Sequence, residues 1–154
     1  MLLLNEFKVM LTAALPIVEV KGAIPVGIAL GMSPIHATIL AFLGSILPVP
    51  IILFTIRPVF NYLKETKTFK KIVHKLIHRS LGKSGNVKKY GYWGLFIFVA
   101  IPLPGTGVWT GSLIASLLDL RFKYAFPTIV AGNLIASIII MILSFGVVNV
   151  FGGQ

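Results

Sequence analysis

A chain of 154 residues that is 56% hydrophobic and only 12% charged, with mean hydropathy +0.95, is too apolar for a soluble domain, in which roughly half the residues are apolar and about a quarter charged. It holds no cysteine, which excludes disulfides, thiolate metal sites and cysteine nucleophiles. The net charge of +10 would point to nucleic acid in a soluble protein, but ten of the fourteen Lys/Arg lie between positions 57 and 89, a bias that membrane orientation explains better.

In chain order, Met1–Met10 reads as a short lead with Glu6 and Lys8. It is too short for a signal-peptide core and no small-residue cleavage pattern follows it. Leu11–Met32 is apolar yet interrupted, and its central stretch LPIVEVKGAIPVGIALG carries Pro16, Glu19, Lys21, Gly22, Pro25, Gly27 and Gly31. Charges at membrane depth are costly and face a polar cavity or a partner. Proline and glycine break a helix unless protein or water satisfies the freed backbone. The stretch is therefore expected to be a broken, membrane-inserted segment lining a site. Met32-Ser33-Pro34 makes a turn. Pro34–Ile56 is the first full span, since at about 1.5 Å per residue it crosses a core of about 30 Å; Pro48 and Pro50 are expected to kink it.

Arg57–Lys89 is a basic connector. Phe69, Ile72, Val73, Leu76, Ile77 and Leu81 fall at helical spacing, with lysines, His74, His78 and Arg79 on much of the other side. This predicts an amphipathic helix lying in the interface, ended by Gly82–Asn86 and held in the cytoplasm by its charge. His74 and His78 are one turn apart but have no third ligand nearby, so a solvated face is expected and no metal. Tyr90–Leu118 is a second broken segment, opened by the interfacial aromatics Tyr90, Tyr92 and Trp93 and broken at Pro102-Leu103-Pro104-Gly105-Thr106-Gly107. Asp119–Lys123 is a short polar turn, and Phe126–Phe151 is the second full span.

The order is thus broken segment, span, basic connector, broken segment, span. The expected fold is an all-α integral membrane protein forming one domain, 1–154, with a first repeat 1–56, a cytoplasmic connector 57–89 and a second repeat 90–154. Inverted-repeat transporters show this kind of weak internal symmetry. No single offset aligns the halves, because matching Gly27 and Gly31 to Gly107 and Gly111 and matching Gly44 to Gly132 need different shifts. These small-xxx-small pairs suit packing within a protomer or a homodimer. Two topologies compete. Four full crossings would put Arg121 and Lys123 outside. Two re-entrant hairpins with two crossings would put them inside with the connector, which satisfies the charge rule better but leaves Lys8 outside.

Glu19 is the leading candidate for proton or ion coupling, because a carboxylate withdrawn from water can take up and release a proton near neutral pH. Lys21 lies two residues on; in an intact helix the two would not face each other, but at a break they can converge on one cavity. The plainer alternative is an ion pair that only neutralises a costly place. Pro102, Pro104, Gly105, Thr106 and Gly107 offer bare backbone groups, and with Trp109 and Thr110 they form a candidate substrate site near a half-helix N-terminus. Gly22 and Pro25 belong to the same candidate cavity. Asn133 is expected either to bond across helices or to join the cavity, and His36 to be an interfacial, hydrogen-bonded histidine or a proton relay. There is no phosphate-binding loop, no nucleophile–His–acid set and no metal cluster, so neither an enzyme nor a cofactor is expected.

The segments Pro16–Gly27 and Pro102–Gly111, with the length and the basic connector, resemble the small multidrug export protein family, and the resemblance covers nearly the whole chain. More distantly the chain is similar to the DedA/SNARE-associated (VTT) superfamily. That resemblance implies two re-entrant hairpins and ion-coupled translocation of lipids such as polyprenyl-phosphate carriers. It departs at the second hairpin, where Ala100 and Thr106 stand in the neighbourhood of that superfamily's arginines. The implied activity is secondary transport of an amphipathic substrate, a lipid phosphate or a small drug, coupled to protons or Na+ in a prokaryotic plasma membrane. The alternative is a non-transporting assembly factor whose basic helix binds anionic lipid or a partner.

Overall fold

Proline and glycine cut the apolar sequence into helices of two lengths, short arms and long spans. The computed structural model describes residues 2–65 and 90–151, and these are helical with no strand among them. Helix α1 (Leu2–Ala14) stops ahead of Pro16, and α2 (Glu19–Ala29) follows. Neither reaches the roughly 20 residues that a crossing needs. The two fold back on each other. A Cβ at Gly27 would meet Val9 at 3.3 Å, whereas a continuous helix would hold these residues about 27 Å apart. The stretch expected as a lead is therefore the first arm of a hairpin, helical from Leu2 onward.

Helix α2 closes in a Schellman motif. Gly31 takes φ +84, the Gly31 N–H donates to Ile28 at 3.0 Å and the Met32 N–H to Gly27 at 3.1 Å. Ser33 then caps α3 (Pro34–Ile46), its Oγ accepting from the His36 N–H at 3.4 Å. After one residue, Leu47, whose dihedrals stay helical, α4 (Pro48–Glu65) resumes. Pro48 and Pro50 lack the donors that would close this turn. Together α3 and the first half of α4 make one membrane-length segment, Pro34–Ile56.

The second half repeats the plan. Helix α5 (Tyr92–Ala100) and α6 (Val108–Leu117) form another short-armed hairpin, with a Cβ at Gly111 meeting Val99 at 2.6 Å. Helix α6 ends in the same motif as α2: Asp119 takes φ +54, its N–H donates to Ser116 at 3.3 Å, and the Leu120 N–H donates to Ala115 at 2.9 Å. Helix α7 (Phe122–Phe151) is of membrane length over Phe122–Val147. It starts before the expected Phe126 and takes Phe122 and Lys123 out of the expected polar turn. The basic amphipathic helix expected between the halves falls mainly on residues 66–89, outside the described residues.

The two long segments run antiparallel. Phe54, late in the first, stacks on Phe122 at the start of the second with ring centroids 4.5 Å apart, and Ile35, early in the first, shares a groove with Ile142, late in the second. They are joined midway by a buried hydrogen bond, Asn133 Nδ2 to Ser45 Oγ at 2.7 Å. One apolar core, including Val9, Ala23, Ile24, Ala37 and Ala41, sits between the first hairpin and α3. The other, including Leu53, Leu95, Val99, Ile114 and Ile129, sits between the second hairpin, α4 and the start of α7. The exposed residues Ile35, Ile39, Leu43, Leu47 and Ile51, one per turn, leave an apolar stripe along the first span that lipid would cover.

Several features of the two halves fall at one separation, 88 residues. It is the separation of Ser45 and Asn133. The same shift takes the end of α2, Ala29, to the end of α6, Leu117; Gly31 to Asp119; and the start of α3, Pro34, to the start of α7, Phe122. It also takes Gly44 to Gly132. A Cβ at Gly44 would lie 2.8 Å from the Met10 Cα, and one at Gly132 would lie 2.9 Å from the Phe96 carbonyl oxygen. In each half the backbone of the hairpin's first arm rests on a glycine midway along the long helix.

Because the atoms facing Gly44 are backbone, they cannot move aside cheaply. Gly44→Ala is expected to destabilise the protein by about 1–3 kcal/mol through overpacking. Gly146→Ala, where nothing lies within 4 Å, should be neutral or stabilising by up to about 1 kcal/mol. Thermal unfolding of the two variants in detergent checks the pair.

Candidate functional site

The site lies where the tips of the two hairpins meet. Pro16 ends the first arm and leaves Leu15–Val18 as a turn, so Glu19 opens α2 with φ +48. A non-glycine residue in this region is strained by about 1–2 kcal/mol and needs its surroundings to hold it there. The surroundings come from the other hairpin. Glu19 Oε1 accepts the Trp109 N–H at 2.9 Å. That donor belongs to the first turn of α6, where backbone N–H groups lack intrahelical partners and the helix dipole favours an anion. The carboxylate is 3% exposed.

Lys21 makes the reciprocal contact. Its Nζ lies 3.2 Å from Glu19 Oε2 and donates to the carbonyl oxygens of Leu103, at 3.2 Å, and Thr106. The loop presenting those carbonyls is built by its own sequence. Leu103-Pro104-Gly105-Thr106 closes with the Thr106 N–H on the Leu103 carbonyl at 3.1 Å, with proline at the second position and Gly105 at φ +81 in the third, the type II pattern. The Thr106 hydroxyl donates to the Ile101 carbonyl at 2.6 Å and accepts from the Leu103 N–H at 3.1 Å. Thr106 thus braces the loop with its side chain and offers Lys21 only its carbonyl. Gly107, at φ +126, completes the seat: a Cβ there would overlap the Glu19 carboxylate. A further tie runs the other way, with Trp109 Nε1–H donating to the Ala14 carbonyl at the end of α1, at 3.0 Å.

The residues singled out in the sequence do not all meet at one place. Glu19, Lys21, Thr106, Gly107 and Trp109 come together, with Pro102, Pro104 and Gly105 shaping the loop and Thr110 following, half-buried, in the first turn of α6. Pro25 lines a groove headed by Lys21. Gly22 is packed beneath Val18, where a Cβ would collide with that side chain. Asn133 bonds Ser45 and makes the cross-helix link. His36 Nε2 lies 3.2 Å from Glu6 Oε1, joining α3 to α1. Sequence reasoning missed Ser45, Glu6 as the partner of His36, and the indole–Ala14 bond. It also expected the backbone groups at the start of α6 to be open to a substrate, whereas Glu19 takes the Trp109 N–H there. Among the described residues no group of His, Asp and Glu could hold a metal ion.

Two apolar helices long enough to cross a membrane, and two half-length hairpins whose tips carry the buried charge, are the features of a membrane protein. The family model described as "Putative small multi-drug export protein" matches residues 19–139, from Glu19 at the tip into the second span. The chain belongs to that family. No curated protein and no solved structure matches it.

Gly91 and Gly107 both have positive φ, but only at Gly107 would a Cβ strike anything, the Glu19 carboxylate. Gly107→Ala is expected to lower the melting temperature well beyond Gly91→Ala; equal losses would mean that backbone strain alone explains both.

Proposed function

We propose that the protein is an ion-coupled secondary transporter of an amphipathic substrate, a small drug or a lipid such as a polyprenyl phosphate, with Glu19 as its proton-binding group. The single observation that carries this reading is the meeting of the hairpin tips around a buried carboxylate. A carboxylate with 3% exposure, held by an N–H donor from one half and an ammonium from its own half, is costly if stability is the only demand. In this reading the halves are an inverted repeat and both hairpins are re-entrant. The antiparallel spans, the common offset of 88 and the length of the arms support it. Arms of 9 to 13 residues extend about 14–20 Å, so hairpins entering from opposite faces of a core of about 30 Å meet near its middle. Substrate and ion sites of inverted-repeat transporters lie at such broken helices.

Two experiments test the reading. Protein lacking cysteine accepts single-cysteine labelling directly. Arg121→Cys and Lys83→Cys should both label only from the cytoplasm and Ser33→Cys only from outside; outside-only labelling of Arg121→Cys removes re-entrance. In proteoliposomes with an imposed pH gradient, and against protein-free vesicles as baseline, a long-chain primary alkylammonium, tetraphenylphosphonium and geranylgeranyl phosphate serve as N–H-bearing cationic, N–H-free cationic and anionic probes. Wild-type protein should move at least one of them with proton flux, and Glu19→Gln, which keeps an acceptor for Trp109, should lose that flux while remaining folded. Wild-type flux from Glu19→Gln removes the proton role.

A further inference from the structure

The cradle around Lys21 consists of hydrogen-bond acceptors: the Glu19 carboxylate and the carbonyls of Leu103 and Thr106. An ammonium with three donors is what such a set recognises. Lys21 and Glu19 are not equally fixed in it. Glu19 is short, 3% exposed, pinned at φ +48 and bonded by a backbone N–H group. Lys21 sits on a flexible four-carbon stem and keeps 20% exposure. Its stem heads a groove of about 450 Å³ between α2 and α7, walled by Pro25, Ile28, Ala29, Ile140, Leu143 and Val147. From Lys21 to Ala29 the α2 wall runs about 12 Å. A positive head at one end of a narrow apolar wall is the shape of an amphipathic amine, and Lys21 is a tethered copy of its head.

We infer that the cradle is a primary-ammonium site that Lys21 occupies as a built-in cation, and that the exchangeable ligand is an alkylammonium whose head replaces the Lys21 ammonium while its tail lies along the α2–α7 groove. The inference rests on the transport reading and narrows its substrate to the cationic class. A quaternary ammonium has no N–H to give the carbonyls, and an anion would face Glu19 and two carbonyl oxygens. Lys21 must leave for the ligand to bind, so the apparent affinity of the native chain is reduced by the fraction of time the cradle is open.

The test is binding, read without flux. The chain has two tryptophans, Trp93 and Trp109, so Trp93→Phe leaves the emission of Trp109, beside the cradle, as reporter. This protein in detergent, with and without Lys21→Ala, is titrated with octylammonium, octyltrimethylammonium and octyl sulfate. Octylammonium should bind the Lys21→Ala chain about tenfold or more tighter than the Lys21-bearing chain, and in both chains it should bind ahead of the other two. Equal affinity with and without Lys21, or binding of octyl sulfate or octyltrimethylammonium as tight as octylammonium, overturns the inference. The Lys21-bearing chain alone suffices for the ligand order if removing Lys21 prevents folding. The outcomes separate cleanly: wild-type flux from Glu19→Gln would refute proton coupling and leave ammonium selectivity standing, whereas loss of that selectivity would refute the cradle and leave coupling untouched.

Discussion

The structure is organised around one buried carboxylate held between the tips of two hairpins. Glu19 lies at the end of one hairpin and its backbone hydrogen-bond donor at the end of the other. Breaking a buried charge from its partners costs about 3–5 kcal/mol, so the tips are bound to each other strongly although few atoms take part. Each neighbouring residue serves that contact: Gly107 leaves the space, Trp109 supplies an N–H and ties α1 with its indole, and the Pro104-Gly105 turn aims two carbonyls at Lys21.

The shift of 88 gives this contact a further meaning. It takes Glu19 to Gly107 and Lys21 to Trp109. Residues related by a two-fold axis touch only on the axis. Ser45 and Asn133 touch, and Glu19 packs on Gly107. In the inverted-repeat reading the axis passes through both contacts. A Cβ at Gly107 would overlap the Glu19 carboxylate, so at this contact one half carries the carboxylate and the other carries glycine. Both positions have positive φ, +48 at Glu19 and +126 at Gly107.

Much of this was legible because it is written in proline, glycine and charge. Pro16 and Pro102–Gly107 marked both hairpin tips, the unbroken apolar runs marked both spans, and Glu19 with Lys21 stood out as charge in apolar sequence. What was not legible depended on tertiary contact. Asp119 at φ +54 does the work of Gly31 at φ +84, so a motif set by backbone conformation left no matching letter in the second half. Matching Gly27 and Gly31 to Gly107 and Gly111 and matching Gly44 to Gly132 need different offsets, and the letters alone did not choose between them. Gly44 and Gly132 each lie beneath the backbone of a hairpin arm. Likewise the vacant donors of α6 were foreseeable from its N-terminus, but that Glu19, some 90 positions earlier, takes one of them was not.

The distribution of contacts also says which part of the join between the halves the tips control under the transport reading. Within each half, an arm's backbone rests on the glycine of its own long helix, a fit in which interiors resist deformation. Between the halves the apolar packing is also continuous, since Val49 and Leu53 of α4 join the core of the second hairpin and Ala136 of α7 joins that of the first; beside it stand the Phe54–Phe122 stack, the Ser45–Asn133 bond and the polar cluster at the tips. A change at the tips alters the polar part of that join and leaves its apolar part in place. Replacing Lys21 by a ligand, or adding a proton to Glu19, alters the charge at that join. The groups suited to sensing cargo and ion are therefore among the groups that join the halves, which is the link between binding and movement that coupled transport requires.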